Sequence, residues 1–213
     1  VKDNPQIQKG ISAIPEIFSS HYSHEPGNTF GYRPVVRSMF AIEYSLWGEN
    51  PVMSHIMSVL LYSLLCVLLW KLLRKIFNNI VPVAVFLITV LFTVHPLHTE
   101  VVASLKNRED IIVAILLLLI VGAFLRYAEK QKPVDLLVGT VLSFIAGLTK
   151  ENAVVIPLIA AGVAFYWLLG RKPLRESTRK PIYWILPLVV PALAIWAAIS
   201  MPGTAGSRSV SGI

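Results

Sequence analysis

Short polar stretches of this sequence hold the residue types that move protons, grip anions or bind metals, and each lies beside an apolar run. Tyr32-Arg33-Pro34, followed by Arg37, is one. Pro34 pushes Arg33 towards extended backbone and prevents an earlier helix start. That presents the Arg33 guanidinium at a loop-to-helix junction, where its planar fork can hold a phosphate at two oxygens. An arginine snorkelling to lipid headgroups is the competing account. His95-Pro96-Leu97-His98-Thr99-Glu100 is another. His95 and His98 are three apart and can share a helical face. They would hold a divalent metal if Glu100 or a residue of the first loop supplied a third ligand. The spacing is a common one and demands no cofactor by itself.

The same stretch runs on through Lys106-Asn107-Arg108-Glu109-Asp110. Asn107 can cap the following helix, with Glu109 and Asp110 in its first turn, where the helix dipole favours acids. Alternatively, Asp110 stands at the mouth of an apolar span, where burial raises a carboxylate pKa and suits it to proton transfer. In Gly147-Leu148-Thr149-Lys150-Glu151-Asn152, Lys150 and Glu151 form an opposite-charge pair with almost no loop around it. Charges at a membrane edge are costly unless wet, paired or functional, so this pair either stabilises a tight turn or belongs to a site.

The elements that must position these groups are apolar. Of 213 residues 55% are hydrophobic and only 15% charged, and the mean hydropathy is +0.66. A soluble domain carries about a quarter charged residues. Spans of roughly 20 apolar residues cross a bilayer. Val52–Trp70, Ile111–Tyr127, Ala153–Gly170 and Ile182–Met201 fit that length, Ile80–Val94 extends to it, and Leu136–Thr149 is short. The sequence therefore predicts an all-α polytopic transmembrane helical bundle with about six spans. Residues 1–51 form a structured first outer loop, 52–201 the transmembrane region, and 202–213 the start of a further outer loop.

Charge orients the spans. With residues 1–51 outside, the inner loops hold Lys71, Arg74, Lys75, then Arg126, Lys130, Lys132, then Arg171, Lys172, Arg175, Arg179, Lys180, against Glu129, Asp135 and Glu176. Such a Lys/Arg bias marks the inner side. It also accounts for the net charge of +7 without nucleic acid as a partner. All five histidines then lie on or near the outer face, which gathers the polar chemistry on one side. In the first loop, Ile11, Ile14, Ile17 and Phe18, and again Val36, Met39, Phe40, Tyr44 and Trp47, recur at helical spacing, which predicts amphipathic helices at the membrane interface. They either cap the bundle or shape a substrate groove. Cys66 lies inside an apolar run and says nothing of redox compartment. The missing initial methionine and the small-residue stretch at the other end read as cut ends of a longer polypeptide.

In order along the chain come Tyr-Arg-Pro, Asn50-Pro51 with His55, "FTVHPLHTEVVASLKNRED" and "GLTKENAVVIP". Together, over about residues 1–165, they resemble the polyprenyl-phosphate-sugar-dependent glycosyltransferases of the GT-C superfold. Within that group the match is to membrane O-mannosyltransferases carrying tetratricopeptide repeats and to their bacterial relatives. The resemblance implies transfer of a sugar, mannose-like or another hexose, from a polyprenyl- or dolichyl-phosphate donor to a protein or glycan hydroxyl. The reaction would occur on the luminal or periplasmic face of an endoplasmic reticulum or bacterial inner membrane. It implies that Arg33 lies near the donor phosphate and Asp110 in the catalytic region. His95, Glu100, Arg108, Lys150 and Glu151 match motif positions with unassigned roles, and Arg37 adds a second cation beside Arg33. The acid that such enzymes use as base stands at the start of the first outer loop. Here the chain opens at Val1-Lys2-Asp3, which makes Asp3 that acid or its neighbour, and no repeats follow. The fragment alone is expected to be inactive. A transporter or channel is the alternative, although it predicts charges within the spans rather than at their rims. A noncatalytic scaffold of the same fold is a further one.

Overall fold

The computed structural model describes residues 4–19, 33–130 and 132–150, together with 153, 155, 156, 159, 160 and 162. The described residues are mostly helical, with no strand among them.

Prolines and short polar caps start the helices. α1 (Pro5–Gln8) is capped by Asn4, whose side chain accepts from the Gln6 amide at 3.0 Å. A tight turn, Gly10–Ala13, leads into α2 (Ile14–Ser19). α3 (Pro34–Trp47) opens with proline at its first position, where a missing N–H costs nothing. α4 (Pro51–Ile76) begins the same way, and the Asn50 side chain accepts from the Val52 and Met53 amides at 3.1 and 3.2 Å.

α4 has 26 residues, about 39 Å at ~1.5 Å per residue, and exposes Val59, Leu60, Leu64, Val67 and Trp70. Leu105–Lys130 is the other helix long and apolar enough to span, most of it α7 (Arg108–Lys130). α5 (Pro82–Thr93) and α6 (Leu97–Ala103) make a third crossing only if taken together, and a 63° bend separates them. The bend falls at His95-Pro96, since proline bars the preceding residue from continuing the helix. α8 (Pro133–Thr149) is apolar but shorter. Four of the expected spans are thus helices, of which two or three have the length to cross. Those at Ala153–Gly170 and Ile182–Met201 lie largely or wholly outside the described residues.

α7 and α8 form an antiparallel hairpin and the densest helix pair among the described residues. Ile120, Phe124, Leu125 and Ala146 are fully buried there. Gly139 admits the Phe124 ring; a Cβ at that position would lie 2.5 Å from Phe124 Cε1. The first loop is also packed on protein. Ile7, Val36 and Phe40 form one cluster, and Ala13, Ile17 and Ala41 another. Gly10, at φ +68°, brings the chain against Ser45, whose hydroxyl accepts from the Ile11 amide at 2.8 Å. Ile11, Phe18 and Trp47 of the two expected amphipathic faces are exposed, whereas Ile17, Val36 and Phe40 are buried. α3 therefore turns part of its expected lipid-facing stripe onto the rest of the loop and the bundle.

Candidate functional site

The hairpin returns Lys150, just past the end of α8, to the first turn of α7. The Lys150 ammonium hydrogen-bonds Asp110 Oδ1 and lies 3.1 Å from Glu109 Oε1. The start of α3 meets the same point from the other side. Arg33, at φ −129° and ψ 62° and so short of the extended backbone expected before Pro34, donates through one terminal nitrogen to both Glu109 oxygens at 2.8 Å. Two cations and two carboxylates from three separated segments thus converge at the ends of α3, α7 and α8. Glu109 is the enclosed centre, its side chain 13% exposed; Asp110 at 46% is the open edge.

The Lys150 ammonium is held as a cation. Burial pulls its pKa down, but the hydrogen bonds to Asp110 and Glu109 and their charges outweigh this and raise it above 10.5. The α7 N-terminal dipole further favours acids at Glu109 and Asp110. Chemically, the node can hold an anionic oxygen group between Arg33 and Lys150. It also presents a solvent-facing carboxylate beside that position.

Arg108, one residue earlier, points elsewhere and is fully buried. Its guanidinium donates to Ser58 Oγ at 3.0 Å, to Glu43 and to the Ser54 carbonyl. It also lies 4.7 Å over the Phe40 ring. Arg108, which matches a motif position of unassigned role, is enclosed by α3 and α4 and fixes the start of α7 to both. Beside it a cavity of about 80 Å³ is lined by Phe40, Glu43, Tyr44, Asn50, Ser54 and Leu105, among others. Arg37 is likewise buried, at 1% exposure.

The histidines brace the bend between α5 and α6. His98 Nδ1 is 2.7 Å from the Phe92 carbonyl, which can only accept, so that nitrogen carries the proton. The Tyr62 hydroxyl donates to the Thr93 carbonyl at 2.9 Å and sits 2.9 Å from the same His98 nitrogen. Together they satisfy carbonyls freed by the break. His95 Nδ1 accepts from the Leu97 amide at 3.3 Å. Among the described residues, no third ligand for a metal at His95 and His98 is brought to them. No group of three His, Cys, Asp or Glu placed to hold a metal occurs among the described residues. Glu100 is exposed on α6 and joins neither charged network. Asp3 and Glu151 lie outside the described residues.

Of the expected residues, Arg33, Asp110 and Lys150 come together. Glu109, which joins them, had been read only as a helix-start acid, and Glu43 had not been singled out. Glu43 did leave a signal: Val36, Phe40 and Glu43 fall on one helical face, and an acid on an apolar face needs a buried partner.

A chain whose described residues are mostly helical, with apolar helices of bilayer length and charged networks at their ends, is a membrane protein. Residues 27–200 match the model of the dolichyl-phosphate-mannose-protein mannosyltransferase family. The chain belongs to that family, as its motifs implied. It is 28% identical over 179 residues to Protein O-mannosyl-transferase TMTC1 of Mus musculus, covering 73% of this chain and 18% of the relative. To Protein O-mannosyl-transferase TMTC4 of Mus musculus it is 28% identical over 188 residues, covering 78% and 24%. To TMTC4 of Homo sapiens it is 34% identical over 123 residues, covering 52% and 16%. The chain thus spans a quarter or less of the curated relatives it matches. No solved structure matches it.

Proposed function

We propose that this chain is the membrane-embedded part of a glycosyltransferase that moves a mannose-like hexose from a dolichyl- or polyprenyl-phosphate donor to a protein or glycan hydroxyl. The reaction lies on the luminal or periplasmic side. The convergence of Arg33, Lys150, Glu109 and Asp110 carries this reading. In such a reaction the acceptor hydroxyl gives up its proton as its oxygen attacks the anomeric carbon. The bond from that carbon to the phosphate oxygen breaks, and lipid phosphate leaves. Cations placed where charge accumulates on the leaving group lower the barrier, and Arg33 and Lys150 are suited to that. A carboxylate within reach of the acceptor takes the proton. Asp110 is the exposed carboxylate at the node; Asp3, before the first described helix, is the other candidate. The exposed apolar faces of α4 and α5 suit the polyprenyl tail.

Sugar transfer by the full-length protein in nanodiscs, from a panel of labelled polyprenyl-phosphate sugars, tests this. The expected result is release of polyprenyl phosphate with labelled acceptor, reduced about 10²–10³-fold in Arg33→Ala. Unchanged transfer in both Arg33→Ala and Asp110→Ala would remove the node from the reaction. No turnover with any donor would favour a transporter or a noncatalytic scaffold.

A further inference from the structure

We infer that Glu109 is a placeholder for the donor phosphate: its carboxylate occupies the seat between Arg33 and Lys150 and is displaced when a lipid phosphate binds. The inference deepens the proposed function and rests on it. Both Glu109 oxygens face one Arg33 nitrogen at 2.8 Å, and one of them also lies 3.1 Å from the Lys150 ammonium. A carboxylate gripped by an arginine and a lysine reproduces two anionic oxygens of a phosphate, in charge and in hydrogen-bond demand. The surroundings separate this group from an ordinary surface pair. The Arg33, Lys150 and Glu109 side chains are 27%, 21% and 13% exposed. Two partly desolvated cations that close together repel each other unless an anion sits between them.

Charge makes a one-for-one exchange workable. Arg33 and Lys150 against Glu109 and Asp110 sum to zero. A sugar phosphodiester carries about one negative charge, so replacing the Glu109 carboxylate with it keeps the node neutral. The phosphomonoester released after transfer carries about 1.5 to 2 negative charges, and the same cations hold it more strongly. Glu109 then competes for its seat and promotes release. It is a positioning and gating group, distinct from Asp110, which meets Lys150 from the open edge.

The exchange predicts that removing the Glu109 charge tightens phosphate binding, whereas a purely structural carboxylate would leave binding unchanged or weaken it. The probe is a short-chain polyprenyl phosphate without sugar, titrated calorimetrically into the full-length protein in nanodiscs. Glu109→Gln is expected to bind it about tenfold tighter than wild type, and adding Arg33→Ala should erase that gain. Glu109→Asp withdraws the carboxylate by one methylene and keeps its charge; it should tighten binding more modestly, and it decides the matter if Glu109→Gln does not fold. Equal or weaker binding in the folded variants overturns the exchange. Sugar transfer measured in parallel keeps the two ideas apart. Turnover without tightening sinks the exchange alone, whereas tightening without turnover supports it and sinks the donor reading.

Discussion

The α7–α8 hairpin ends in two kinds of charge. At the Arg33 end the cations share partners: Glu109 serves Arg33 and Lys150, Lys150 serves Glu109 and Asp110, and Arg108 is enclosed by Glu43, Ser58 and Ser54. At the other end the pairs are simple. Lys75 meets Glu129 at 2.8 Å, Arg126 meets Asp135 at 3.0 Å with Arg126 44% exposed, and Arg74 reaches the Ile80 carbonyl. These unlinked, part-exposed pairs are of the kind that contributes about 0–1 kcal/mol each. Among the described residues, the linked charges lie at the Arg33 end, the kind of preorganised geometry that acts on an anion.

The strongest way to break the contrast is to remove the buried cation. Arg108→Ala leaves Glu43 buried without its cation and should cost about 3–5 kcal/mol, read as thermal unfolding in detergent. Converting both partners, Arg108→Met with Glu43→Leu, should recover most of that loss, because no unpaired charge remains. A cost below about 1 kcal/mol for Arg108→Ala would make this network no different from a surface pair.

Lys150→Gln comes next. It should lower sugar transfer by the full-length protein about 10²-fold or more, with a much smaller change in melting temperature than Arg108→Ala. Equal losses of stability in the two variants would mean that Lys150 is also a structural pin.

The pH response sharpens the same comparison. A group whose pKa is raised on folding contributes stability that is complete below its unfolded value and lost as pH rises through its folded one. For Lys150, raised from 10.5, the junction should therefore hold unchanged from about pH 7 to about pH 10 and weaken only above that. Loss of stability below pH 10 in wild type that Lys150→Gln abolishes would contradict the assignment. At the far end, Asp135→Asn should change stability by no more than about 1 kcal/mol and leave transfer intact. A large loss there would dissolve the distinction between the ends.

Much of this arrangement is legible in the residues themselves. Asn50-Pro51, Pro34, Pro82 and Pro133 mark helix starts because a cap oxygen or a missing N–H suits those positions wherever the helix later packs. The apolar runs of α4 and α7 declare their length for the same local reason. Arg33, Asp110 and Lys150 could be picked as chemical candidates because charge at the rim of an apolar helix is costly without a purpose. The bend at His95-Pro96 was half legible: Pro96 announces a break, but His98 and Tyr62, which satisfy the freed carbonyls, meet only through the packing of α4 on α5.

The division of labour among Arg108, Glu109 and Asp110 was out of reach. Successive helical residues point about 100° apart. Arg108 therefore turns towards α3 and α4, while Glu109 and Asp110 reach Lys150 from the return of the hairpin. One list of charged residues is compatible with several rotations of α7 about its axis. The packing of Phe124 into the space left by Gly139, and the burial of Arg108 against Glu43 and Phe40, accompany the one observed. For the described residues, the sequence alone marked α4, α5, α7 and α8 as apolar segments and placed charge near their ends. The tertiary structure alone decided which charges share a partner, because that depends on contacts between segments up to 76 residues apart.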